Sequence, residues 1–162
     1  MLAHCPTSLT ILRLNTRFRP RAPRGDTEKV KRPPRFRPYE EVDLDAVLNL
    51  CAAEGWATYV EDRARAHRVF TAPGVVSIVA TIDDQVAAFA YFQTDGAIQA
   101  HLSLLVTDER SRRAGIARAL LTYAFPLLGA TRIDLITDSA GDFYRRLTHK
   151  ELLGFRLYPA TE

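Results

Sequence analysis

The chain has 162 residues, 47% of them apolar and 25% charged, an ordinary composition for one globular domain that excludes a low-complexity or fibrous polymer. No apolar run approaches the roughly 20 residues that span a bilayer, and the N-terminus lacks the apolar core and cleavage site of a secretory signal, so a cytoplasmic protein without a membrane partner is expected. The net charge of +3 conceals an asymmetry: residues 1–37 hold ten Lys/Arg against Asp26 and Glu28, whereas the remainder holds 12 basic and 17 acidic residues.

The basic character therefore belongs to the N-terminal arm, and the body is mildly acidic. From Arg17 to Pro38 the sequence is rich in Arg and Pro with little apolar periodicity, which cannot bury enough surface to offset chain entropy. Residues 1–34 are read as a flexible arm and 35–162 as the folded domain. An Arg-rich, acid-poor start also suits an organelle transit peptide or an extension upstream of the true translation start, and all three readings stay open. The arm carries phosphate-attracting charge, yet Phe18 and Phe36 are its only aromatics for stacking on bases, so nucleic acid is not the expected partner. Cys5 and Cys51 show no C-x-x-C spacing and there is no histidine cluster; no metal site is expected, and Cys51 reads as a small buried hydrophobe.

In chain order, Arg35-Phe36-Arg37-Pro38-Tyr39 suits a first edge strand, since proline is tolerated near an edge. Asp43 offers an N-cap before Leu44, Val47, Leu48 and Cys51, apolar at helical spacing, and Gly55 closes that helix. A second helix is predicted over residues 61–70, ended by Pro73-Gly74. Strands follow at 75–82, 86–94 and 97–106, joined by Asp83-Asp84 and Asp95-Gly96; this is an antiparallel meander with a strong hairpin signal at Asp-Gly. Ile116, Leu120, Leu121, Ala124 and Leu128 then mark one face of a helix from Gly115 to Leu128, stopped by Gly129. A strand over 132–137, reached through that helix, should lie parallel to the previous one. A short helix after Asp142 and a last strand over 154–158 complete the order β-α-α-β-β-β-α-β-α-β.

The segment Arg112-Arg113-Ala114-Gly115-Ile116-Ala117 lies between a strand and a helix, where unpaired amides and the positive helix end point at one place. Gly115 allows a close approach or a positive φ, and the small Ala117 leaves the backbone accessible. This is a candidate anion site. It is neither a P-loop, lacking Gly-Lys-Ser/Thr, nor a dinucleotide fingerprint, having a single glycine.

The element order, the R-x-x-G-x-A spacing after the fourth strand, and Asp142-Phe143-Tyr144 followed by Gly154-Phe155 together resemble the GCN5-related N-acetyltransferase (GNAT) family over about residues 35–159. The resemblance implies an α/β (α+β) fold with a mixed central sheet, a β-meander and flanking helices. It also implies acetyl-CoA as co-substrate, its pantetheine arm lying where the fourth and fifth strands splay apart. Carried over by position, Leu104, Leu105 and Val106 meet the pantetheine and acetyl group, and Arg112, Arg113, Ala114, Gly115, Ile116 and Ala117 meet the pyrophosphate. Tyr144 takes the place of the general acid that protonates the departing thiolate, and His101 is the candidate base for the attacking amine. Glu54, Glu61 and Asp95 are competing carboxylates.

Trp56 and Tyr59 fall between the first two helices, where the resemblance places the acceptor; they line a pocket or serve as satellite core. The segment between Val106 and Arg112 is one residue longer than the family spacing, through a bulge at Thr107 or a strand that includes it. Residues 145–153 are likewise an extended stretch, with His149 and Lys150 on a solvated surface. The expected activity is acetyl transfer to a primary amine of a small molecule or peptide, by a monomer or homodimer. A CoA-binding sensor without turnover is the alternative.

Overall fold

The computed structural model of the chain describes residues 32–158, so Cys5 and most of the expected N-terminal arm lie outside the described residues. A five-stranded sheet runs in the order β1 (Arg35–Pro38), β2 (Val75–Ile82), β3 (Gln85–Thr94), β4 (Gln99–Thr107), β5 (Arg132–Asp134). The first four strands are antiparallel and β5 lies parallel to β4, as the helical crossover between them requires. The β2–β3 hairpin turns on Asp83 and Asp84, both at positive φ, the backbone shape that matches strand twist in a two-residue turn.

Helices α1 (Leu44–Ala53) and α3 (Arg63–Phe70) cover one face and α4 (Ile116–Ala124) the other. The two layers differ in side-chain size for a physical reason. Toward α1 and α3 the sheet presents Phe89, Tyr91, Leu104 and Val106, which pack with Val47, Cys51 and Phe70. Toward α4 it presents Ala80, Ala88, Ala90 and Ala100 beside Ile78, Phe92 and Leu102, and the alanines leave room for Leu120 and Ala124 to pack against the strands. Cys51 is fully buried in the α1–α3 layer, and burial together with nearby Glu54 pushes its thiol up to about 11, an inert state for a cysteine.

Several local expectations are corrected. Asp43 precedes α1 but does not cap it: its carboxylate turns back to accept both Arg37 guanidinium nitrogens at 2.6 and 2.7 Å and the Glu40 amide at 2.9 Å. The connection holding Trp56 and Tyr59 is partly helical, α2 (Ala57–Val60), and α3 starts later than predicted behind an Asp62 cap. β4 begins at Gln99 because the Asp95 carboxylate holds the amides of Ala97, Ile98 and Gln99 in a turn. Helix α4 tightens to a 3-10 turn at Phe125–Leu128, where Pro126 removes an amide. β5 stops at Asp134, short of the expected Thr137. Helix α5 (Gly141–Tyr144) starts one residue before Asp142. The strand expected at 154–158 is absent, and Phe155, Leu157 and Tyr158 are exposed.

The β3–β4 turn is clamped to the end of α4. Thr94 Oγ1 donates to the Leu128 carbonyl at 2.7 Å and the Thr131 amide to Ile98 at 3.0 Å. Gly129 stands so close to Gly96 that a Cβ there would lie 2.7 Å from the Gly96 carbonyl oxygen, and its φ is +63°. Gly129→Ala should therefore destabilise the chain by about 2 kcal/mol, read as a lower denaturation midpoint; an unchanged midpoint would contradict this packing.

Burial disfavours ionisation of Asp43, but the Arg37 hydrogen bonds and the Glu40 amide outweigh it and hold its carboxyl below the usual range. Its contribution is then fully present above the ordinary carboxylate pKa and fades as pH falls below about 4. Asp43→Asn should flatten that part of the acid limb in a stability-against-pH series, and Asp43→Ala should cost about 2 kcal/mol at neutral pH by leaving Arg37 without its carboxylate.

Candidate functional site

The backbone of β4 organises the site. Opposite β3 its register runs Phe92↔Leu102 and then Tyr91↔Leu104, which leaves Ser103 as an extra residue, a β-bulge. The bulge inverts which side chains face which layer. Ala100 and Leu102 point to the α4 side, whereas Leu104 and Val106 point to the α1–α3 side. On its other edge β4 pairs with β5 only at Gln99↔Arg132, Ala100↔Ile133 and His101↔Asp134. Beyond His101 the strands part, and among the described residues no strand lies beside the β5-facing edge of Leu102–Thr107.

His101 stands where pairing ends, with Gln93 across β3 and Asp134 across β5. Asp134 is held by Arg132 at 3.2 Å, and Arg132 also donates to Gln99 Oε1 at 2.8 Å. A polar ladder therefore fixes the junction beside the histidine. Asp134 was not singled out from the sequence, although an acid alternating with Arg132 in an apolar stretch is the signal that would have found it.

The strand ends at Thr107, which pairs with Ala88; the extra residue expected near Thr107 is thus part of the strand, and the bulge lies four residues earlier at Ser103. A 3-10 turn at Glu109–Ser111 follows, then Arg113 at φ +63° and Gly115 at φ +78°. Gly115 adopts the left-handed conformation at the N-cap of α4, and no side chain caps that helix. The amides of its first turn, Ile116, Ala117 and Arg118, consequently have no intrahelical acceptor. The Ile116 side chain is buried under α4 while Arg113, Ala114 and Gly115 are exposed.

Arg112 closes the loop on two sides. Its Nε donates to the Thr107 carbonyl at 3.2 Å, and its guanidinium forms an ion pair with Glu54 just past the end of α1. Glu54 is thereby engaged with the loop. Between α1 and this loop lies an open groove of about 860 Å3 lined by Asn49, Leu50, Glu54, Thr107, Asp108 and Arg112, among others.

Leu105 and Tyr144 belong to the α4 layer, with Ile133 and Leu135 of the β5 region. Burial raises the Tyr144 phenol, so its hydroxyl keeps its proton at neutral pH, and its ring stands edge-on to Phe143 at 4.9 Å. Trp56 and Tyr59 lie against the opposite layer. The Tyr59 ring stacks on Phe70 and its hydroxyl meets that of Tyr91 at 2.9 Å, so Tyr59 forms a wall with its polar end already engaged. Of the competing carboxylates, Asp95 is committed to its turn, and the three amides hold its carboxyl below the usual range. Glu61 is exposed. Downstream, Arg145 pairs with Asp142 and Glu151, and His149 and Lys150 are exposed.

The fold built on this divided sheet is shared with solved proteins. An aminoglycoside N-acetyltransferase in complex with CoA is 16% identical with a TM-score of 0.67, the match covering 79% of this chain and 95% of that one. An aminoglycoside 6'-N-acetyltransferase from Acinetobacter haemolyticus is 16% identical at a TM-score of 0.64, over 79% of this chain and 99% of that one. A ribosomal-protein-alanine N-acetyltransferase from Brucella melitensis is 14% identical at 0.64, over 77% and 97%. No curated protein matches the chain in sequence. The family model described as the acetyltransferase (GNAT) domain matches residues 38–151, and with the mixed sheet and its flanking helices this shows that the chain belongs to the GNAT acetyltransferase family.

Proposed function

We propose that the chain is an N-acetyltransferase that moves an acetyl group from acetyl-CoA to a primary amine by direct attack within a ternary complex. The observation that carries this reading is the parting of β4 from β5 after His101, which leaves a backbone edge leading from the junction toward the uncapped start of α4. Extended backbone groups on that edge suit the amides of a pantetheine arm. The first-turn amides of α4, with Arg112 and Arg113, suit its pyrophosphate.

Acetyl-CoA supplies the acetyl group as a thioester, whose C–S bond breaks as the amine nitrogen forms its bond to the carbonyl carbon. The leaving sulfur needs a proton. Tyr144 is the donor in this reading: among the described residues its hydroxyl has no hydrogen-bond partner, and burial keeps it protonated. The amine must arrive without its extra proton, since an ammonium has no lone pair. His101, exposed enough to reach water and fixed by the junction, is the group proposed to take it.

The acceptor is a primary amine on a small molecule or peptide, approaching from the side of Trp56 and Tyr59. Solved proteins of the same fold include an aminoglycoside 6'-N-acetyltransferase and a ribosomal-protein-alanine N-acetyltransferase, which supports an amine acceptor and leaves both sizes within the proposal.

Acetyl-CoA at about 100 times its dissociation constant should stabilise the chain by about 2.7 kcal/mol, seen as a rise in melting temperature. No rise would overturn the donor assignment. Tyr144→Phe should keep that rise while lowering turnover of a responsive amine by about 100-fold or more; unchanged turnover would remove Tyr144 as the acid. Since burial raises the Tyr144 phenol above its ordinary 10.0, its loss of a proton should not limit turnover below that pH, and an alkaline fall belonging to this group should appear only above it in a pH-rate profile.

A further inference from the structure

Ser103 is the one residue of β4 with no register partner on either edge: β3 skips it at the bulge, and β5 has already ended its pairing at His101. Its Oγ is also the only side-chain nitrogen or oxygen among the described residues that is wholly shielded from solvent and lacks a hydrogen-bond partner. Both observations fall on the same residue. A buried hydroxyl without a partner is costly, and a serine hydroxyl in a strand has neighbouring carbonyls to which it can readily donate. Here it makes no such bond.

We propose that the Ser103 hydroxyl donates a hydrogen bond to a carbonyl oxygen of the pantetheine–thioester arm of acyl-CoA. The assignment rests on the donor-site reading above and adds a residue to it. The surroundings favour an incoming acceptor. Leu102 and Leu104 on either side are buried apolar residues turned to opposite layers, so Ser103 is the one hydroxyl in the segment 102–106 where the backbone edge is open. The residue as a whole keeps some exposure while its Oγ is covered, so its exposed area belongs to its other atoms. A single turn of χ1 between staggered wells re-aims the hydroxyl, a small movement for a side chain with one torsion. A ligand carbonyl would then give a polar atom the partner it lacks in the free chain, an interaction present only in the complex.

The test compares Ser103→Ala and Ser103→Thr with the wild-type chain, measuring melting temperature without ligand and dissociation constants for acetyl-CoA and for CoA. Removing an unpartnered hydroxyl should leave the free Ser103→Ala protein as stable as the wild type, whereas its affinity for acetyl-CoA should fall about tenfold. Ser103→Thr, which keeps the hydroxyl, should recover part of that loss. Equal loss for CoA and acetyl-CoA places the bond on a pantetheine amide, and loss confined to acetyl-CoA places it on the thioester; either supports the assignment. An Ala variant with wild-type affinity overturns it, as does one whose melting temperature drops while affinity is kept, since that marks a structural hydroxyl. A wild-type chain that binds neither ligand overturns the donor-site reading itself, a result distinct from failure at Ser103 alone.

Discussion

Every extended backbone group that leaves water must find a partner, and β4 is where this chain meets that requirement unevenly. Along β3 it is paired almost throughout, and along β5 for three residues only. The rest of the architecture serves this asymmetry. The long β2–β3 and β3–β4 ladders hold β4 in place, while the short β5, reached through α4, sets how far the sheet continues before it opens. The bulge at Ser103 falls just past the last paired residue, so the strand changes the layers its side chains face as it loses its neighbour.

The two packing layers follow from the same geometry. On the α4 side, Ala80, Ala88, Ala90 and Ala100 bring the helix close, and a close helix presents its uncapped N-terminus at the end of the open edge. On the other side, Phe70, Phe89 and Tyr91 form a thick aromatic layer that supports α2 through Tyr59 and keeps the connection after α1 at a distance from the strands. Larger residues beneath α4 would move its N-terminus away from β4 and separate two parts that the proposed donor site needs together.

What could be read in the sequence was what local chemistry dictates. Gly115 at a helix start, Gly129 at its end, Asp83-Asp84 between apolar runs and the 3.6 period of Ile116, Leu120 and Ala124 each carry their own signal, and the R-x-x-G-x-A loop is contiguous. The order of the sheet followed from connection length and handedness. The last strand failed because alternation shows only that residues 154–158 can be extended; a strand also needs an edge to pair with, and β5 offers only three residues. Asp43 was misread as a cap because its competitor, Arg37, lies on another element. Ser103 and Asp134 were not visible at all, since their significance comes from register: one is skipped by its neighbour, the other is set beside His101 by a parallel pairing of distant segments.

The contrast between rigid and open parts bears on how the proposed chemistry is held. A catalytic group must be kept within a fraction of an ångström of its working position. His101 is the last β4 residue flanked on both sides, with the Gln99–Arg132–Asp134 ladder tying those strands together. The loop that follows is steadied from a different direction, by Arg112 reaching both Thr107 and Glu54. Because Glu54 precedes Gly55 and Trp56, this contact joins the proposed phosphate loop to the beginning of the proposed acceptor wall. Phosphates approaching Arg112 would compete with the Glu54 carboxylate for the same guanidinium, so occupation of the donor site bears directly on the segment that leads to the acceptor.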